Sequence, residues 1–323
     1  MKKWLSLGLA AALITGLAAC SPGGQASPPP ASEPAPVEES SGDASPDTDA
    51  SADANADANA SADANASADA SASVGYELAL VTDLGTIDDK SFNQGAWEGL
   101  KQYADENNIT HKYYQPTEQS DDAYLTAIDL AVTGGAKIVV TPGFLFETPV
   151  YLAQDRYPDV SFILIDGSPH DADSATYETK QNTVGITYAE EQAGFLAGYA
   201  AVKDGQRKLG FMGGMAVPAV VRYGYGFVQG ADYAGRELEL GEGAITIAYH
   251  YTGEFAATPE AQTMAASWYN NGVENIFGCG GAVGNSVMSA AEQSNAKVIG
   301  VDVDQSYESP TVVTSAMKGI KES

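Results

Sequence analysis

From residue 76 onward the chain predicts an α/β fold with parallel sheets divided between two lobes. Short apolar runs alternate near-regularly with amphipathic stretches, which is the pattern of strands connected by covering helices. No catalytic or metal-binding motif interrupts that alternation, and roughly 250 folded residues exceed one small α/β domain, so two lobes are the natural partition.

In chain order, "ELALVTD" (77–83) is the first strand candidate, and a helix follows from Phe92 to Asn107, with Ser91 or Asp89 placed to cap it. "HKYYQ" (111–115) leads to a helix from Asp121 to Thr133, and "KIVVT" (137–141) to one from Pro149 to Arg156. "SFILID" (161–166) and "NTVGITY" (182–188) precede a helix from Ala189 to Lys203. The pattern restarts after the Gly205–Arg207 turn with "KLGFMGG" (208–214) and a helix from Val220 to Glu237. "AITIAYHY" (244–251), "NIFGCGG" (275–281) and "KVIGVDVD" (297–304) are the remaining strands, with helices Pro259–Asn270 and Val283–Ser294 between them. The expected lobes are 76–205 and 206–305, with 306–323 as a hinge and the start of a return to the first lobe.

The N-terminus has a different texture. "MKKWLSLGLAAALITGLAAC" has two lysines, a short apolar core and small residues before Cys20, the layout of a secretory signal too short for a comfortable membrane span. Leu17-Ala18-Ala19-Cys20 resembles a bacterial lipobox, so residues 1–20 are expected to be a lipoprotein signal peptide and Cys20 the lipidated residue. Residues 21–75 are mostly Pro, Ala, Ser, Gly, Asn and acids, including "SADANADANASADANASADA", and carry no Lys or Arg. They cannot bury enough apolar surface to offset the entropy of ordering, which predicts a disordered tether spanning roughly 40 Å. The expected location is the extracytoplasmic face of the cell membrane.

Charge narrows the ligand. The formal net charge is −27, and the part after the tether still holds 33 acids against 14 bases. Such a surface repels nucleic acid and has few cations to hold phosphate, so a neutral or cationic ligand is expected.

In open α/β sheets ligands bind beyond the carboxyl ends of the strands. Those ends deliver Asp83, Thr141 to Phe144, Asp166 to Ser168, Gly213 to Met215, Cys279 to Gly281, and Asp302 to Gln305. "DLGTIDD" lacks the alternate oxygen ligands and closing Glu of a calcium loop, so no metal or other cofactor is expected. "GYGFVQG" and "GCGGAVG" miss the dinucleotide spacing by one residue and suit helix N-terminal turns with close packing. The three histidines stand in no defensible triad order, and Cys279 reads as a small packing residue. Asp302 and Asp304 would share a face roughly 7 Å apart on a continuing strand, against a simpler reading in which Asp304 already faces water. In "TDLGTIDDKSFNQGAWEGL", Phe92 and Asn93 fall in the first helical turn beside Asp83. An aromatic face with an amide and a carboxylate is suited to a polar ring.

"VTDLGTIDDKSFNQGAWEGL", "VTPGFLF", "FILIDG", "NTVGITYAEEQAGFLAGYAA", "GFMGGMAVPAVVRYGYGFVQGA" and "IGVDVDQS" together resemble the basic membrane protein family, the PnrA-like nucleoside-binding lipoproteins of ABC transporters. The resemblance implies a type I periplasmic-binding-protein fold: two Rossmann-like lobes on a three-strand hinge, closing on a purine or other nucleoside without catalysis. It implies that Asp83 and Asn93 hydrogen-bond the ligand and that Phe92 stacks on the base. Tyr223, or a neighbour such as Tyr225, would cover the other face. Asp166 would lie at the cleft, Asp302 would accept ribose hydroxyls, Gly280 and Gly281 would line the C-terminal lobe, and Lys318 would approach the ligand, although the sequence alone equally allows Lys318 to be a solvated helix lysine. Implied partners are the permease and ATPase subunits, with the membrane reached through the N-terminal lipid. The family continues beyond the equivalent of Ser323, so a truncated C-terminus with uncovered apolar surface on the first lobe is expected. The alternatives are another small solute such as a sugar or signalling molecule on the same fold, a nucleoside hydrolase-like enzyme, or a surface antigen presenting an inactive domain.

Overall fold

The computed structural model describes residues 75–323. The expected signal peptide, Cys20 and the tether up to residue 74 lie outside the described residues.

Strands β1 (Leu78–Val81), β2 (His111–Tyr114), β3 (Ile138–Pro142), β4 (Ser161–Ile165) and β5 (Thr183–Ile186) form a parallel sheet ordered β2-β1-β3-β4-β5. Strands β6 (Lys208–Gly213), β7 (Thr246–Tyr251), β8 (Asn275–Cys279), β9 (Lys297–Asp302) and β10 (Val312–Met317) form a second, ordered β10-β9-β8-β6-β7. Counted from its own first strand, each sheet has the order 2-1-3-4-5. The lobes are topological repeats of one doubly wound unit.

Each sheet is covered on both faces, which is why the middles of its central strands are nearly continuous apolar runs. In β1, Ala79 and Val81 pack against Tyr124 and Ile128 of α2 (Asp121–Thr133) and Val150 of α3 (Glu147–Arg156). Leu78 and Leu80 face the other way, onto Ala96, Leu100 and Ala104 of α1 (Phe92–Asn107). In the second sheet, Leu209 and Phe211 of β6 meet α4 (Glu190–Lys203) and α5 (Pro218–Glu237). Met212, Ile276 and Val298 meet α6 (Pro259–Asn270) and α7 (Val283–Ser294). The alternation of side chains along a strand divides each lobe's core into these two halves.

Local chemistry fixes the helix ends. Ser120 Oγ accepts from Ala123 N–H at 3.2 Å and Thr258 Oγ1 from Ala261 N–H at 3.1 Å, both N-cap bonds. At α1 the cap is Asp89, not Ser91. Its Oδ1 accepts from Ser91 and Gln94 N–H at 2.9 and 3.0 Å, and its Oδ2 from Asn93 N–H at 3.0 Å.

The structure departs from the expected partition in two places. Helix α4, assigned from sequence to the first lobe, buries Ala197, Ala201 and Val202 in the second lobe's core. Its glycines let it touch α5 backbone to backbone: a Cβ at Gly198 would lie 2.0 Å from Phe227 O, and one at Gly230 would lie 1.9 Å from Phe195 O. The "GYGFVQG" glycines therefore serve close packing as expected, but from within α5 and not from an N-terminal turn. Residues 312–317, expected as hinge, form β10 on the second sheet. Only Val312 and Ala316 of this edge strand are buried, so its pattern carried little signal. Beyond it the chain does return to the first lobe, where Ile320 packs with Leu78, Leu80 and Leu100.

Candidate functional site

The carboxyl ends of both sheets face one cleft of about 590 Å³. Asp83, Phe92, Asn93, Asp166, Tyr223, Gly280, Gly281, Asp302 and Lys318 all contribute to its lining. Tyr225 does not; it is 64% exposed on the outer side of α5.

Asp83 follows β1, and Asn93 opens α1. Asp83 Oδ1 accepts from Gly85 N–H and from Asn93 Nδ2, each at 2.7 Å. Burial pushes the Asp83 carboxyl above its usual range, against the lowering effect of those two bonds. Burial likewise lifts Asp89 to about 6, although three backbone N–H groups oppose the shift.

Lys318, at the end of β10, joins the two lobes. Its ammonium pairs with Asp166 Oδ2, lies 3.3 Å from Glu190 Oε1 and 3.8 Å from Asp302 Oδ1, and sits over the rings of Phe92, Tyr188 and Tyr223 at 4.8, 5.5 and 5.4 Å. It is buried, neither solvated nor helical. Burial alone would lower its pKa, but the Asp302, Asp166 and Glu190 charges outweigh burial and raise it, so Lys318 remains an ammonium. Asp166 is lifted to about 7 by burial, with Lys318 opposing and Glu190 reinforcing the rise. Burial raises Asp302 as well, against Lys318 and Ser91. Glu190 is the exception: Arg222, bonded to its Oε2 at 2.5 Å, and Lys318 overcome burial and lower it.

Asp166 and Asp302 occupy equivalent places at the ends of β4 and β9, and both have left-handed backbone, with φ of 64° and 65°. Aspartate tolerates that region better than branched or bulky residues do, and the turn aims each carboxylate at Lys318. The turn at Asp302 also ends the strand, so Asp304 does not share its face. Asp304 is exposed and accepts from Ser306 N–H at 3.0 Å, which removes the acid–base pair as a geometry.

Besides the Lys318–Asp166 bond, two further hydrogen bonds cross between the lobes. Ser91 Oγ donates to Asp302 Oδ2 at 2.6 Å, and Gln305 Nε2 donates to Lys90 O at 2.7 Å, with Ser91 and Gln305 both fully buried.

Tyr223 touches the cleft but is only 1% exposed, and its hydroxyl donates to Ala316 O at 3.1 Å. It packs edge-on against Phe277 in the second lobe's core. Phe144, placed at the cleft by the strand-end rule, lies in the 3₁₀ turn after β3, and Phe255, in the loop after β7, is an aromatic that the sequence does not single out. Phe255 lies so close to Gly214, Gly280 and Gly281 that a Cβ at Gly214 would come within 2.5 Å of its ring. Gly280 and Gly281, with φ of 144° and 53°, form the β8–α7 turn beneath it. Cys279 is buried in the core and its thiol is pushed up by burial, consistent with a packing residue. Among the described residues no group of three or more His, Cys, Asp or Glu is arranged to hold a metal ion.

An interlobe cleft at the facing strand ends of two repeated parallel sheets, lined by aromatics, amides and carboxylates, defines a two-lobed solute-binding protein. The chain belongs to the family described as "ABC transporter substrate-binding protein PnrA-like", whose profile matches residues 76–323. It is 32% identical over 242 residues to "ABC transporter nucleoside-binding protein BmpA" of Lactococcus lactis, covering 71% of this chain and 64% of that protein. It is 30% identical over 248 residues to "Basic membrane protein A" of Borreliella burgdorferi, covering 76% and 68%. The chain thus spans just under two thirds of the length of the Lactococcus relative. Among solved structures, a solute-binding protein of Aeropyrum pernix K1 superposes with a TM-score of 0.67 at 24% identity, covering 76% of this chain and 68% of that one. A sugar-transport binding protein of Bordetella parapertussis gives 0.56 at 16% identity, covering 76% of each. These two establish the likeness of fold, the type I binding-protein architecture. The family is one of substrate-binding proteins and not of enzymes, which decides against the hydrolase alternative.

Proposed function

We propose that this protein captures a nucleoside, most suitably a purine nucleoside, in the interlobe cleft and delivers it to the permease and ATPase subunits of an ABC importer. The observation that carries the proposal is the placement of Phe92 and Phe255 on opposite lobes of one cleft, with Asp83 and Asn93 beside Phe92 and Asp302 on the second lobe. Two aromatic faces sandwich a base, while carboxylates and amides take up its edge and the sugar hydroxyls. The name of the Lactococcus relative supports the same ligand class.

The charges in the cleft favour the uncharged nucleoside over its phosphates. Asp83, Asp88, Asp89, Asp166, Glu254 and Asp302 line it, and its single lysine is committed to three carboxylates. A phosphate would meet repulsion and no free cation. Lipidation at Cys20, with the 21–75 tether between membrane and lobes, would hold the protein on the extracytoplasmic face of the cell membrane.

Thermal unfolding with nucleosides, free bases, nucleotides and sugars tests the ligand class, because a ligand that binds only the folded state raises the midpoint by mass action. Nucleosides alone are expected to raise it. A rise with sugars and none with nucleosides refutes the proposal. Loss of membrane fractionation in Cys20→Ser tests the anchor.

A further inference from the structure

We propose that Gln305 is a positioning residue for ligand capture: from outside the cleft it clasps the β9–β10 loop of the second lobe to the start of α1, and so sets how often the lobes stand closed. Its effect on affinity rests on the solute-binding reading above. Neither Gln305 nor Lys90 lines the cleft. Gln305 is fully buried, and its Oε1 accepts from Val301 N–H at 2.9 Å. An amide oxygen held by an N–H donor turns the nitrogen the other way, and Nε2 donates to Lys90 O at 2.7 Å. The Gln305 backbone N–H donates to Ser315 Oγ at 3.0 Å. Gly300 leaves room for the side chain, since a Cβ there would lie 2.6 Å from Gln305 Oε1. Strands β9 and β10 therefore fix the amide, and its nitrogen is directed at the other lobe.

The acceptor is equally prepared. Lys90 has left-handed backbone, with φ of 62°, and its N–H donates to Gln94 Oε1 at 3.1 Å. In a continued helix the Gln94 N–H would bond to Lys90 O, but here it donates to Asp89 Oδ1 at 3.0 Å. The Asp89 cap of α1 thus frees one carbonyl, and that carbonyl takes the donor from the opposite lobe. Two contacts surround the bond. Lys90 Nζ lies 3.6 Å from Glu308 Oε1, and Val303 packs so closely on α1 that a Cβ at Gly95 would come within 3.3 Å of its Cγ1. Phe92 and Asn93 follow Lys90 in the chain and Asp302 precedes Gln305, so the clasp joins the two stretches that carry cleft residues without lining the cleft itself. A contact made only when the lobes are closed raises the closed fraction, and apparent affinity falls in proportion when that fraction falls.

Spin-label distances in the purified full chain, with nitroxides on Glu118→Cys and Glu260→Cys, both exposed and one on each lobe, test the clasp without ligand. Gln305→Met keeps the length of the side chain and removes the amide, and is expected to move population to longer interlobe distances. Calorimetric titration with guanosine, adenosine and uridine should then show every nucleoside that binds the wild type binding about two- to tenfold more weakly, by a common factor. An unchanged distance distribution overturns the inference. So does a loss confined to one nucleoside, which would make Gln305 a ligand contact. If the variant does not fold, exchange of the Gln305 side-chain amide in the wild type decides the question. Protection at least about tenfold greater with bound nucleoside than without is expected, and equal protection overturns the inference. No binding by any of the three overturns the nucleoside reading, while the ligand-free distances still decide the clasp.

Discussion

Replacing Lys318 with methionine keeps most of the side-chain volume and removes the charge that three carboxylates share. The ammonium is 4% exposed, and Asp166, Glu190 and Asp302 are 6%, 0% and 7% exposed at their side chains. Removing one partner of a buried ion pair typically costs about 3–5 kcal/mol, because the remaining charge loses its compensation. For a folded unit of this size that is a fall in melting midpoint of roughly 6–20 °C.

The loss should depend on pH, and its sign can be worked out. Asp166 has a folded pKa of about 7, above its ordinary 3.8. The folded state binds the extra proton, so this carboxyl's contribution to stability declines as pH rises from about 4 to 7 and then levels off in the wild type. Without Lys318 the Asp166 and Asp302 carboxyls rise further, and the decline continues beyond pH 7. The deficit of Lys318→Met is therefore expected to be smallest near pH 5, where protonation relieves the repulsion, and to grow between pH 7 and 9. Circular-dichroism melts at pH 5, 7 and 9 measure it. A deficit that is constant over that range, or largest at pH 5, would refute the buried-cluster reasoning.

Three further changes test other parts of the structure. Ser91→Ala removes the buried interlobe bond to Asp302 and should cost about 1.5–3 kcal/mol in denaturant melts; spin-label distances between the lobes should broaden, and an unchanged distribution would remove Ser91 from lobe coupling. Gly198→Ala forces a Cβ to within 2.0 Å of Phe227 O and should destabilise by at least about 1–3 kcal/mol, whereas Gly241→Ala, with nothing within 4 Å, should stay within about 0.5 kcal/mol by the same assay. Asp89→Ala strips three backbone N–H groups of their acceptor and should cost about 1–2 kcal/mol, read as the loss of amide-exchange protection in the first turn of α1.

How much of the site could be read from sequence depended on whether the signal was local. Asp83, Asp166 and Asp302 were found because the ends of predicted strands in a doubly wound sheet converge on one crevice, a rule that needs only strand positions. Phe92 and Asn93 were found because a strand, a turn and a helix start follow one another within a few residues. Phe255 was missed because it lies in an aperiodic loop, and β10 because an edge strand with only two buried residues hardly alternates. Tyr223 lines the cleft, but its burial and its bond to Ala316 O were not legible, since an aromatic at helical spacing carries no indication of which neighbour it will meet.

The sequence by itself determined the α/β class, the strand-to-helix alternation and the three aspartate strand ends, because turn chemistry and hydrophobic period act over a few residues. Only the tertiary structure decided which sheet α4 covers and whether Lys318 is solvated or enclosed. Lys318 meets Asp166 across 152 residues, and Ser91 meets Asp302 across 211. At such separations the pairing follows from how two lobes pack and not from local propensity, and the charges that set those pKa values exist as neighbours only once the chain has folded.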